Sequence, residues 1–111
     1  GVPAPEHVPD AAMAAHQAGN HLALGLGSAM LVCVPVPADE ALPDDVARDA
    51  VERAIRDADD AGIGGPALTP WLLSRIAILT DGRSVSANTA LIVNNAQVAA
   101  EIAAILASAA R

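Results

Sequence analysis

The run AMLVCV, Ala29 to Val34, decides how this chain is read. Its apolar residues include the β-branched Val32 and Val34, and it is bounded by Gly25 and Gly27 before and by Pro35 and Pro37 after. A continuous apolar run of that length between Gly and Pro predicts a buried strand, not a helix. A strand exposes N–H and C=O groups along both edges and cannot satisfy them alone. Every other periodic segment here reads as helix, so the strand has no mate within the chain. The expectation is an α/β protein of which this chain is a fragment, mostly helical with one buried strand at about 29–34, its sheet completed by other polypeptide.

Before that run, GVPAPEHVPD reads as an extended arrival segment over residues 1–9, because its prolines suit extended backbone. Asp10 is placed to cap a helix over Ala11 to Leu24, stopped by Gly25 and Gly27. After the run, PVPADEALP is a proline-studded loop. From Asp44, Val46, Ala50, Val51, Ala54, Ile55 and Ala58 recur at three and four among charged residues, which predicts an amphipathic helix ending near Gly62. Thr69-Pro70 reads as a helix start, the hydroxyl capping and the proline losing no useful donor. A short helix is predicted from Trp71 to Thr80, with Asp81-Gly82 as its C-cap. Ser84 or Ser86 then begins a long helix to about Ala109. Residues 10–111 are thus expected to form one domain segment: helix, strand, proline loop and three helices.

The totals exclude several function classes. The 111 residues carry a net charge of −7, and every basic residue is an arginine. An acidic chain without a basic patch suits neither nucleic acid nor an anionic membrane surface. Without lysine the chain cannot form a lysine Schiff base or a Walker-type phosphate loop. Cys33 is the single cysteine, so no internal disulfide forms and a reducing cytoplasmic setting is expected. No apolar run approaches the ~20 residues of a membrane helix. The first residue, Gly1, points to a trimmed or partial sequence. Trp71 is the lone aromatic and most apolar bulk is aliphatic or Ala, which predicts a thin core and marginal independent stability.

The long helix begins with more amide than a helix former needs. On a wheel of ~100° per residue, Asn88, Asn95, Ala99, Ile102 and Leu106 fall on one stripe, and Asn94 points away. A carboxamide facing a core needs partners, at roughly 1–3 kcal/mol if it finds none. Two readings of Asn88 follow: a structural bond to a neighbouring loop, or a ligand contact in the first turns, where free backbone N–H groups, Arg83 and Ser84 would add donors and charge.

The segment TPWLLSRIAILTDGRSVSANTALIVNNAQVAAEIA resembles the C-terminal signature of the pseudouridine-5′-phosphate glycosidases, the indigoidine synthase A-like family. The matching positions are Thr69, Pro70, Leu72, Leu73, Gly82, Ser84, Asn88, Asn94, Asn95 and Ala96. LGLGSAMLVCVPVPADEALP and the acidic helix after it extend the likeness from about Leu24 to Leu106. The resemblance implies a C-terminal fragment of an α/β/α sandwich that assembles as a homotrimer. It implies reversible cleavage of the C–C glycosidic bond of pseudouridine 5′-phosphate to uracil and ribose 5-phosphate. A lysine, a glutamate and a divalent metal, commonly manganese, serve that reaction, and all belong to family sequence upstream of this stretch. No catalytic, cofactor-binding or metal-binding residue is therefore expected here. Asn88 matches a family asparagine that hydrogen-bonds substrate; Asn95 matches a position expected to support it. Ser28-Ala29, Val34-Pro35 and Gly65-Pro66 depart from the family's Gly-Gly, Asn-Pro and Gly-Lys. These departures leave two alternatives, a catalytically dead remnant and a small helical interaction module.

The other candidates are weaker. His16 and His21 lie ~140° apart on a helix and share no face with each other, while His7 and Cys33 sit on different elements. Zinc needs three or four converging ligands. Asp39, Glu40, Asp44 and Asp45 lie around a proline loop and a helix start, where acids favour the helix dipole. Ser84 has no histidine at a spacing that would make a nucleophile pair.

Overall fold

The computed structural model describes residues 4–109. It contains α1 (Ala11–Ala23), α2 (Asp44–Asp60), a single 3-10 turn (Gly65–Ala67), α3 (Leu68–Leu79) and α4 (Arg83–Ala109). No strand occurs among the described residues, so the α/β expectation is corrected: the regular structure they form is all helical. Ala29–Val34 is neither helix nor strand, and Leu31 at its centre is 86% exposed. The reason is nonlocal. Apolar run length selects for a strand, but a strand exists only as a ladder, and these residues form no backbone–backbone hydrogen bonds with other described residues. The arrival segment, expected over 1–9, is irregular from residue 4 onward, and its first three residues lie outside the described ones.

The helix ends follow local chemistry. Asp10 caps α1 by accepting from the Met13 N–H at 2.8 Å. Leu24 closes the helix by donating to the Asn20 carbonyl at 3.1 Å, and Gly25 leaves it with φ 62°. α2 has no side-chain cap, but Asp44 and Asp45 place negative charge in its first turn. Its far end is a Schellman closure: the Ile63 N–H reaches the Ala58 carbonyl at 2.9 Å across Gly62, whose φ is 66°. α3 starts at Leu68, earlier than the Thr69-Pro70 signal placed it, because the 3-10 turn feeds straight into it. Thr69 consequently lies inside the first turn and caps nothing. Pro70 is tolerated there because its missing donor would have been unpaired anyway.

Asp81-Gly82 is a helix end, not a hairpin. Gly82 has φ 78° and donates to the Ala77 carbonyl at 2.8 Å. α4 then begins at Arg83, ahead of both serines. Thr80 joins the two helices. It is fully buried, donates from Oγ1 to the Ile76 carbonyl at 2.8 Å and accepts from the Ser84 N–H at 3.1 Å.

The chain divides into two compact units. The first comprises residues up to 35 together with those from 92 onward, and the second comprises residues 36–91. In the second unit, α2 packs on α3 through an alanine stripe, Ala50, Ala54 and Ala58, all buried. Val51 and Ile55, which the periodicity placed on the same apolar face, remain 43% and 46% exposed. An ion pair between Arg75 Nε and Asp57 Oδ2 at 2.6 Å links the two helices. In the first unit, Ala14 and Ala15 of α1 are buried and Gly19 faces Leu106 of α4. Asn94 donates from Nδ2 to the Pro35 carbonyl at 3.1 Å, and the His21 ring meets the Ser28 carbonyl at 2.8 Å.

α4 also corrects the reading of apolar runs. By length and composition it is long and apolar enough to cross a bilayer. The same helix carries Asn88, Asn94, Asn95, Gln97 and Glu101, side chains that are costly in hydrocarbon.

Candidate functional site

Three features of the second unit meet where α4 begins. Gly82 turns the chain, Arg83 and Ser86 stand in the first turn of α4, and the loop Asp39–Pro43 faces them across a cavity of about 210 Å³. Its lining offers one guanidinium, one hydroxyl and the carboxylates of Asp39 and Glu40. The Arg83 Nε donates to the Thr80 carbonyl at 3.3 Å, which fixes the root of the guanidinium. The sequence had paired Arg83 with Ser84. Instead the Ser84 N–H is spent on Thr80, and Ser86 takes the place at the cavity wall. The loop acids, read as dipole partners of a helix start, share this cavity with Arg83. Only their clustering in a proline loop signalled them.

Asn88, the predicted substrate contact, lies one turn further along α4. It is exposed and its side chain forms no hydrogen bond to the described residues, so its carboxamide keeps both donor and acceptor available. It does not line the cavity. The expected buried amide stripe is not present: Asn88 and Asn95 are exposed, whereas Asn94, expected to point away, is half-buried and bonded to Pro35. The less exposed side of α4 runs instead through Ala87, Leu91, Asn94, Val98, Ile102 and Leu106.

Two wider depressions lie elsewhere. One, about 580 Å³, lies between α2 and α3 and is lined by Asp57, Asp60, Trp71, Ser74, Arg75 and Ile78; the Arg75–Asp57 pair already neutralises its central charges. The other, about 550 Å³, belongs to the first unit and is lined by the arrival segment, Gln17 and Met30–Pro35. Among the described residues no three His, Cys, Asp or Glu side chains converge to hold a metal. His16 is exposed on α1, and His21 is engaged with Ser28. The donors needed for a divalent cation are thus not assembled by these residues.

The sequence profile described as "Indigoidine synthase A like protein" matches residues 1–105, and the chain belongs to that family. Within it, the chain is similar to a pseudouridine-5′-phosphate glycosidase of Herpetosiphon aurantiacus, 46% identical over 99 residues, covering 89% of this chain and 33% of the relative. It is 52% identical over 86 residues to the enzyme of that name from Gemmatimonas aurantiaca, covering 78% of this chain and 28% of the relative. Against the Paracoccus denitrificans protein of the same name, identity is 43% over 108 residues, 97% of this chain and 36% of the relative. The chain spans about a third of the length of these curated relatives, which fits a C-terminal part of such a polypeptide.

Proposed function

We propose that this chain is the C-terminal part of a pseudouridine-5′-phosphate glycosidase, contributing a substrate contact and the outer helices to an enzyme whose lysine and glutamate lie in the preceding two thirds. The observation that carries this is the identity of 43% over 97% of the chain with a protein of that name. The reaction is reversible cleavage of the C–C bond between ribose and uracil, in the cytoplasm, by a homotrimer using a divalent metal such as manganese. A chain without lysine has no amine side chain with which to form an imine on the opened sugar, so these residues bind and orient and do not carry the covalent step. Asn88 offers one N–H donor pair and one carbonyl to a pyrimidine amide or a sugar hydroxyl. Its exposure and lack of an internal partner support that role.

The test is a chimera in which this chain replaces the matched third of the Paracoccus relative, assayed for uracil release from pseudouridine 5′-phosphate. Turnover is expected in the chimera and not in the isolated chain. Asn88→Ala in the chimera should lower kcat/KM at least tenfold, about 1.4 kcal/mol. Unchanged kinetics would remove Asn88 from the site, and a folded but inert chimera would favour the dead-remnant reading.

A further inference from the structure

Among the described residues Thr80 is the one buried polar residue, and every other buried residue is an alanine. A hydroxyl taken out of water costs free energy unless it is bonded, and a valine would fill the same volume without that cost. The hydroxyl of Thr80 is bonded on both sides. Its Oγ1 donates to the Ile76 carbonyl at 2.8 Å, in the last turn of α3, and accepts from the Ser84 N–H at 3.1 Å, in the first turn of α4. The Thr80 carbonyl accepts from the Arg83 N–H at 3.0 Å and from the Arg83 Nε at 3.3 Å. Between the two helices Asp81 and Gly82 both stand in the left-handed region, at φ 50° and 78°. An L-residue such as Asp81 rarely adopts that conformation unless its neighbours hold it there. One residue thus fixes the end of α3, the turn and the starting register of α4.

That register reaches Asn88. Ser84 and Asn88 are four residues apart on α4, so they lie one turn apart and within about 40° of each other around the axis. Helical pairing also gives the Asn88 N–H to the Ser84 carbonyl. The Asn88 side chain has no hydrogen-bond partner of its own among the described residues, so its backbone alone sets where the carboxamide stands. We infer that Thr80 is a positioning residue for Asn88: its hydroxyl sets the placement of the first turns of α4 and, through Ser84, of the amide that meets the substrate. The inference rests on the substrate contact proposed for Asn88. A displacement of about 1 Å in such a contact costs on the order of a hundredfold in rate, so a bond two turns away is enough to control it.

The test is a double-mutant cycle in the Paracoccus chimera, read as uracil release from pseudouridine 5′-phosphate. Thr80→Val should lower kcat/KM at least about tenfold, and Thr80→Ser, which keeps the hydroxyl, less than about threefold. In a chimera already carrying Asn88→Ala, Thr80→Val should cost less than about twofold, because the group it acts through is gone. A purely structural role gives the same loss on both backgrounds. Additive losses, or Thr80→Ser as impaired as Thr80→Val, overturn the inference. Hydrogen exchange of the same proteins, followed by peptide mass spectrometry, gives a readout that needs no turnover. Thr80→Val should speed exchange at least about tenfold in the peptide covering residues 83–91 and leave α2 within about threefold, since only the start of α4 is loosened. Uniform acceleration, or a Thr80→Val chimera that does not fold, assigns Thr80 to stability alone and overturns the inference. A folded, unsubstituted chimera that releases no uracil rejects the proposed function instead, and the exchange pattern then decides whether Thr80 places Asn88.

Discussion

Thr80→Val removes one hydroxyl and leaves the side-chain volume nearly unchanged. Thr80 is fully buried and the bond it accepts from Ser84 is part-buried, so water replaces little of what is lost. The Ser84 N–H is one of the orphan donors of the first turn of α4, and the Thr80 Oγ1 at 3.1 Å is its partner. The neighbouring donors have other acceptors: Arg83 reaches the Thr80 carbonyl at 3.0 Å and Val85 the Gly82 carbonyl at 3.0 Å. The Ile76 carbonyl loses little, because the Thr80 N–H still donates to it at 3.0 Å. The cost is therefore that of one part-buried, unsatisfied N–H, at most roughly 1–3 kcal/mol, and loss of a helix-capping hydroxyl gives a similar figure of roughly 0.5–2. We expect about 2 kcal/mol from urea unfolding followed by far-UV circular dichroism. The buried apolar residues among those described are all alanines, so a loss of that size is a large share of the stability and the midpoint should move visibly. Thr89→Val is the internal control. Its hydroxyl donates to the Val85 carbonyl on an exposed face, and its loss should stay within about 0.5 kcal/mol. Equal effects of the two substitutions would refute the assignment of Thr80 as the link between α3 and α4.

Asn94→Ala should cost about 1 kcal/mol in the same unfolding measurement, from the lost bond to Pro35, whereas Asn95→Ala should cost less than about 0.5. Gly82→Ala forces a Cβ into φ 78° and should destabilise by about 1–2 kcal/mol, while Gly64→Ala, at φ −151° with open space around it, should not. Arg75→Met should cost no more than about 1 kcal/mol, because the pair with Asp57 is about a third exposed, and the difference from wild type should shrink in 1 M salt.

Arg83 was read beside Asn88 because both open the same helix; both do, but of the two only Arg83 lines the cavity. The loop acids were dismissed because their carboxylates make sense at a helix start, and nothing local says that Asp39 and Glu40 share a cavity with Arg83. Asn94 and Asn95 exchanged roles for a similar reason. A wheel orders the faces of a helix relative to one another, but which face turns inward is set by what packs against it.

Asp10, Gly25, Gly62 and Gly82 were placed correctly as helix boundaries from sequence alone. Capping and left-handed turns depend on a residue and its nearest few neighbours, so the information is complete within a short window. Membership of the family is likewise a property of residue order. The strand expected at Ala29–Val34 does not form, since pairing is a relation between two distant segments and no stretch of six residues contains its partner. The joining of Ile76, Thr80 and Ser84, the inward turn of Asn94 and the exposure of Leu31 all belong to tertiary structure for the same physical reason: each depends on groups brought together by packing, which periodicity along the chain does not encode.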